Sequence, residues 1–164
     1  MKATVRRCHL DADYASFSRF YLHNCREFDH HYMLQDALVH LIHTVTDAQI
    51  LLFHDTEDQL VAFIQYRFDE DQDYVFIDAA MLAKNYRGSR IFFEGLRDLA
   101  KIIAEDHPGV HTVVFHASAD NLYINRIYSK FAQRIEVRER NGRIEHVYKV
   151  SLKDLMTYVR LDRA

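Results

Sequence analysis

Four residues in succession, Arg87, Gly88, Ser89 and Arg90, stand directly before a long amphipathic stretch. A helix start leaves backbone N–H groups unpaired and carries a positive dipole end, so two arginines and a glycine placed there suit a phosphate. The same residues also serve as a plain polar connection between a strand and a helix. Asp78 is the one ionisable residue in the otherwise apolar run Tyr74–Leu82. Burial there favours the protonated carboxyl and makes Asp78 a candidate proton acceptor, or else it takes hydrogen bonds from a neighbouring loop. His116, at the end of another apolar run, is a second candidate base or a half-buried, satisfied histidine. Asp36, His40 and His43 share one helix face at a spacing that suits a metal, but no Glu-containing zinc motif accompanies them, and a solvated face is the expectation.

These residues must be positioned by the elements around them. Ala3–Leu10 reads as a strand, Asp11 as the N-cap of a helix to about Asn24, and a second helix is expected from Glu27 to about Val45. Gln49–His54, Leu60–Phe68 and Tyr74–Leu82 follow as strands joined by short polar links, the pattern of antiparallel hairpins. The second link, Asp69–Asp73, is acidic: a solvated turn, or an attractor for a cationic substrate. The helix after Arg90 puts Phe92, Leu96, Leu99 and Ile103 on one face and stops at His107-Pro108-Gly109. A buried strand at His111–His116, a helix at Asp120–Phe131, strands at Arg134–Glu139 and Arg143–Val150 around Asn141-Gly142, and a helical tail at Ser151–Arg160 complete the chain. On the Asp120–Phe131 helix, Ile124, Ile127, Tyr128 and Phe131 form the apolar face.

With 164 residues, 49% of them hydrophobic, and no linker or repeat, a single domain over residues 1–164 is expected. A formal charge of -3 argues against a general nucleic-acid binder. Two cysteines, Cys8 and Cys25, lack metal or redox spacing and read as free thiols of a reducing compartment. Met1–Arg7 has no apolar signal core and no run reaches membrane-spanning length, so a cytoplasmic protein without a membrane partner is expected.

The element order resembles the GNAT family of acyl-CoA-dependent N-acetyltransferases over nearly the whole chain. Two motifs carry the resemblance. Asn121 and Tyr128 keep the separation of that family's Asn-x-x-Ala-x-x-x-Tyr-x-x-x-Gly-Phe pattern, with Ala132 and Gln133 where Gly-Phe is usual. Tyr86-Arg87-Gly88-Ser89-Arg90 is similar to the start of the pyrophosphate loop, commonly Arg/Gln-x-x-Gly-x-Gly/Ala, but Arg90 and Phe92 occupy small-residue positions. Side chains there restrict close approach of the backbone to phosphates, while Arg90 is able to bind one bidentately.

The resemblance implies an α/β fold with a mixed, mostly antiparallel sheet flanked by helices. It implies acetyl-CoA as co-substrate, held by Met81, Leu82, Arg87, Gly88, Ser89, Arg90 and Asn121, and direct attack by a primary amine of a small molecule or peptide. Backbone donors at Met81 and Leu82 would polarise the thioester carbonyl, and Tyr128 would protonate the departing sulfur. Asp78 is the first choice for the base that takes the amine proton, and His116 the second. Two other classes compete: a CoA-binding module without turnover, and a structural protein, such as a homodimer held by its 10 Tyr and 11 Phe.

Overall fold

The computed structural model describes residues 3–28, 33–69, 71, 73–88, 90–140 and 142–161, and of 26–28 the backbone alone. The strands are β1 (Thr4–Arg7), β2 (Gln49–His54), β3 (Leu60–Asp69), β4 (Tyr74–Leu82), β5 (Thr112–Ser118), β6 (Gln133–Arg140) and β7 (Arg143–Ser151). The helices are α1 (Asp11–Phe28), α2 (Leu34–Asp47), α3 (Ile91–Asp106), α4 (Leu122–Tyr128) and α5 (Leu152–Tyr158), with a 3-10 turn at Lys84–Tyr86. One seven-stranded sheet runs in the order β1-β2-β3-β4-β5-β7-β6. All its pairings are antiparallel except β4 with β5, which α3 connects as a crossover. This is the α/β arrangement, mostly antiparallel and flanked by helices, that the sequence led us to expect.

Strand alternation divides the core between the two faces. Val75, Ile77, Ala80, Leu82, Val113 and Phe115 pack under α3 and α5, while Phe63, Ala79 and Met81 pack under α1 and α2 with Phe17, Tyr21 and Leu41. Burying this much apolar surface on both faces explains why β4 and β5 read as nearly continuous hydrophobic runs. The alternation in β4 slips by one residue. Gln65 pairs with Ala79 and Tyr66 with Ile77, so Asp78 is the extra residue of a bulge.

The first two helices differ from expectation at their junction. α1 runs through Asn24 to Phe28, because the Asn24 amide folds back onto the Phe20 carbonyl (2.8 Å) and the Phe17, Tyr21, Cys25 spacing keeps burying one face. α2 starts only at Leu34, where the Met33 N–H donates to the Asp36 carboxylate (3.4 Å). Asp36 is therefore a helix-start residue, and it also pairs with Arg143 at 3.5 Å. Residues Glu70, Gln72, Ser89 and Asn141, from the acidic link, the arginine loop and the last hairpin turn, lie outside the described residues.

Candidate active site

The parallel pairing of β4 with β5 covers only Tyr74–Ile77 against Thr112–Phe115. Both strands run on, β4 to Leu82 and β5 to Ser118, but they part after Ile77 and Phe115. On its other edge β4 stays paired to β3 as far as Leu82. The edge of Asp78–Leu82 that faces β5 therefore offers main-chain donors and acceptors without a strand partner, in a cleft that is open at the β4 end.

A shallow, open pocket lies at the mouth of that cleft, lined by Ala80, Met81, Leu82, Arg87, Asn121, Tyr123 and Ile124. Four of the expected binding residues, Met81, Leu82, Arg87 and Asn121, thus come together. Gly88 follows in the left-handed region (φ +82) with open space where a side chain would begin, and its N–H points to the Tyr123 hydroxyl at 3.4 Å. The Arg87 guanidinium lies over the Tyr123 ring, 5.7 Å from its centroid. Ser89 lies outside the described residues. Arg90 is the N-cap of α3, with its guanidinium 6.0 Å from the Phe93 ring rather than on the pocket wall. The Asn121 side chain accepts from the Ile124 N–H (3.1 Å), so its oxygen caps α4.

Sequence reasoning missed three residues here. Tyr123 is the aromatic floor beneath Arg87, and its signal was an aromatic two residues after Asn121. Tyr86 donates to the Asp55 carboxylate (2.8 Å), which also accepts from the Glu57 and Gln59 N–H groups, so the β2–β3 turn anchors the entry to the arginine loop. Asn125 is the third. Its Nδ2 donates to the Ser118 and Asn121 carbonyls, both at 2.8 Å, which fixes the amide orientation. Its Oδ1 then accepts from the Tyr148 hydroxyl and from His146 Nδ1, each at 2.8 Å, so His146 carries its proton on Nδ1. Replacing Asn125 by Leu leaves the buried Tyr148 hydroxyl and the Ser118 carbonyl without these partners, and we expect a stability loss on the order of 3 kcal/mol in urea unfolding. A loss below about 1 kcal/mol would mean that this network is dispensable.

Tyr128 lies behind the pocket and not on its wall. Its ring is fully buried between Phe92 of α3, Phe115 at the last paired rung of β4 and β5, Phe131 and Tyr148. Ile124, one turn earlier on the same helix, reaches the pocket. Among the described residues the Tyr128 hydroxyl has no hydrogen-bond partner, and burial disfavours the phenolate and pushes its pKa well above the ordinary phenol range. A buried polar atom left unpaired costs roughly 1–3 kcal/mol, so its retention asks for a reason.

The two candidate bases are placed otherwise than an isolated buried acceptor would be. Asp78, its side chain 15% exposed, is gripped by Arg67 through Nε (2.6 Å) and Nη2 (2.8 Å). His116 accepts from Arg138 Nη2 at 2.8 Å and is pushed down to about 3, first by burial and then by Arg138, Arg140 and Arg67. His40 stacks on Tyr21 and meets Gln65 at 3.4 Å, and His43 is exposed; among the described residues no cluster has the makings of a metal site. Among the described residues, too, no helix is long and apolar enough to cross a membrane.

Comparison with known proteins agrees with this geometry. The family model for the acetyltransferase (GNAT) family matches residues 13–132. No curated protein matches the sequence. Among solved structures, the ribosomal-protein-S5-alanine acetyltransferase from Vibrio fischeri superposes with a TM-score of 0.70 at 10% identity, covering 94% of this chain and 96% of that one. The GNAT-family acetyltransferase from Streptococcus pneumoniae gives 0.67 at 11% identity, over 92% and 99% of the two chains. The PaiA N-acetyltransferase from Thermoplasma acidophilum, solved in complex with coenzyme A, gives 0.66 at 12% identity, over 92% and 100%. At these identities the likeness is one of fold, whereas the family model covers most of the sequence itself, and the chain belongs to the GNAT acetyltransferase family.

Proposed function

We propose that this protein is an N-acetyltransferase that moves an acetyl group from acetyl-CoA to a primary amine of a small molecule or peptide by direct attack. The observation that carries this reading is the parting of β4 from β5 at Ile77 and Phe115, with Met81, Leu82 and Arg87 lining the opening and, behind it, a buried Tyr128 hydroxyl that is unpaired among the described residues. The unpaired edge of β4 suits the amide-rich arm of the cofactor, and Gly88 with its open surroundings suits the close approach of a phosphate. Bound acetyl-CoA would supply an acyl thioester, whose carbonyl carbon bonds to the amine nitrogen as its bond to sulfur breaks.

The protein's own groups have three tasks in that exchange. N–H groups of the Met81–Leu82 segment polarise the carbonyl, a contribution typically worth a hundredfold or more when the donors are fixed in advance, of the order ~10² to 10³. Arg87 and the α3 N-terminus hold the pyrophosphate. Tyr128 hands its proton to the sulfur. Burial keeps the phenol protonated at any working pH, so the donor form is always present, and the proton released by the nitrogen restores it.

The test is release of the free thiol from acetyl-CoA with a panel of primary amines, read with a thiol reagent, and the acetylated amine identified by mass. Amine-dependent release with one acetyl group added is the expected result. Binding of CoA with no transfer to any amine would favour a module that binds without turnover.

A further inference from the structure

A continuous row of side chains crosses the α1/α2 face of the sheet where β4 and β5 part. Asp78 and His116 are the residues directly after the last paired rung on their two strands. Arg67 of β3 holds Asp78 bidentately and also lies over Phe76, 5.3 Å from the ring centroid. Phe76 in turn meets the His116 ring, with centroids 4.0 Å apart. His116 takes a hydrogen bond from Arg138 of β6, whose Nε donates to Glu145 of β7 at 3.3 Å. From α2, Asp36 pairs with Arg143, His40 meets Gln65, and Asp47 adds a negative charge to the surroundings of Arg67.

Every group on this row that could take a proton is already engaged. Both oxygens of Asp78 are filled by one guanidinium, and protonating that carboxylate would forfeit the ion pair. Glu145 shares Arg138. His116 is kept neutral near neutrality first by its burial and then by Arg138, Arg140 and Arg67, although Glu145 Oε2 lies 3.8 Å from its Nδ1, and His40 is disfavoured as a cation by its burial. The guanidinium groups also raise the cost of bringing a protonated amine to the cleft. An alkylamine titrates near ~10.4 and the α-amine of a peptide N-terminus near ~8, so at neutral pH the free base is scarcer for the alkylamine by a factor of roughly a hundred or more.

Resting on the acetyl-transfer reading above, we infer that the acceptor is the α-amine of a peptide N-terminus rather than a side-chain amine or polyamine. The residues on the row position and discharge the cleft; they do not deprotonate the acceptor, which arrives already free.

Initial rates of CoA release with four acceptors test this: a neutral free amino acid, a dipeptide, an Nα-acetyl-lysine amide that offers only its ε-amine, and an alkyl diamine. The expected result at neutral pH is a kcat/KM at least about 100-fold higher for the dipeptide arm than for either alkylamine arm, climbing with pH along the titration of the acceptor itself. The free amino acid, whose own carboxylate keeps its ammonium more basic than a peptide N-terminus, is expected to fall below the dipeptide. Alkylamines used as well as or better than the dipeptide would overturn the inference while leaving acetyl transfer intact. No thiol release in any arm and no stabilisation by acetyl-CoA would overturn both. In Arg67→Gln, Asp78 is released to act as a base, and discrimination between the arms should narrow at least about tenfold with the acetyl-CoA melting shift retained. Unchanged discrimination in that variant would also count against the inference.

Discussion

Tyr128→Phe should lower turnover at least about a hundredfold while leaving acetyl-CoA affinity and the fold intact, since general acid catalysis contributes ~10² to 10⁴. The burial of Tyr128 makes this substitution unusually discriminating. Removing a buried hydroxyl normally costs stability through a lost hydrogen bond, but among the described residues this hydroxyl has no partner, so its removal relieves an unsatisfied atom. The ring remains to pack against Phe115, Phe131 and Tyr148. The melting temperature should therefore hold or rise. An acyl donor with a more acidic thiol needs less help in departing, and the deficit should shrink with it. Near-normal turnover in Tyr128→Phe would remove Tyr128 from the chemistry and leave it as an aromatic of the core.

Arg87→Ala should weaken acetyl-CoA binding by roughly 1.5 to 3 kcal/mol, the scale of a hydrogen bond to a charged group, or about 10- to 150-fold in Kd. The structure separates the two arginines of the loop. Arg87 lines the pocket over Tyr123, whereas Arg90 sits at the α3 N-cap beside Phe93. Arg90→Ala is accordingly expected to have the smaller effect, in calorimetric titration of both variants under one salt condition, because exposed charge contacts are screened by salt. Equal and negligible effects would place the phosphates elsewhere or assign them to backbone amides alone.

How far the sequence could lead is seen at particular residues. The bounds of Gln49–His54 and Tyr74–Leu82 were legible because short polar links flank runs that are buried on both faces. The Phe92, Leu96, Leu99, Ile103 face of α3 was legible for the same reason, a period that only burial sustains. The end of α1 was not, because Asn24 looks like a helix stop by type yet bonds within its own helix. The bulge at Asp78 leaves no trace in composition: an acidic residue in an apolar strand looks like a lone buried acid until Arg67, eleven residues earlier, is seen across the hairpin. Arg138 beside His116, and Asp55 under Tyr86, are contacts between distant strands and turns that no local pattern encodes. The Asn121 and Tyr128 spacing reported a real helix, but the fact that gives Tyr128 its interest, an unpaired buried hydroxyl, is a property of packing.

The central claim, that the opening between β4 and β5 receives acetyl-CoA, is tested most directly by thermal unfolding with and without the compound at millimolar concentration. A ligand at a hundred times its Kd adds about 2.7 kcal/mol to the folded state. For a domain of this length that corresponds to a rise of roughly 5 to 10 °C. The account predicts such a rise for acetyl-CoA and for CoA, reduced in Arg87→Ala and retained in Tyr128→Phe. A melting temperature unmoved by either compound, with no CoA found by mass spectrometry on the purified protein, would contradict it.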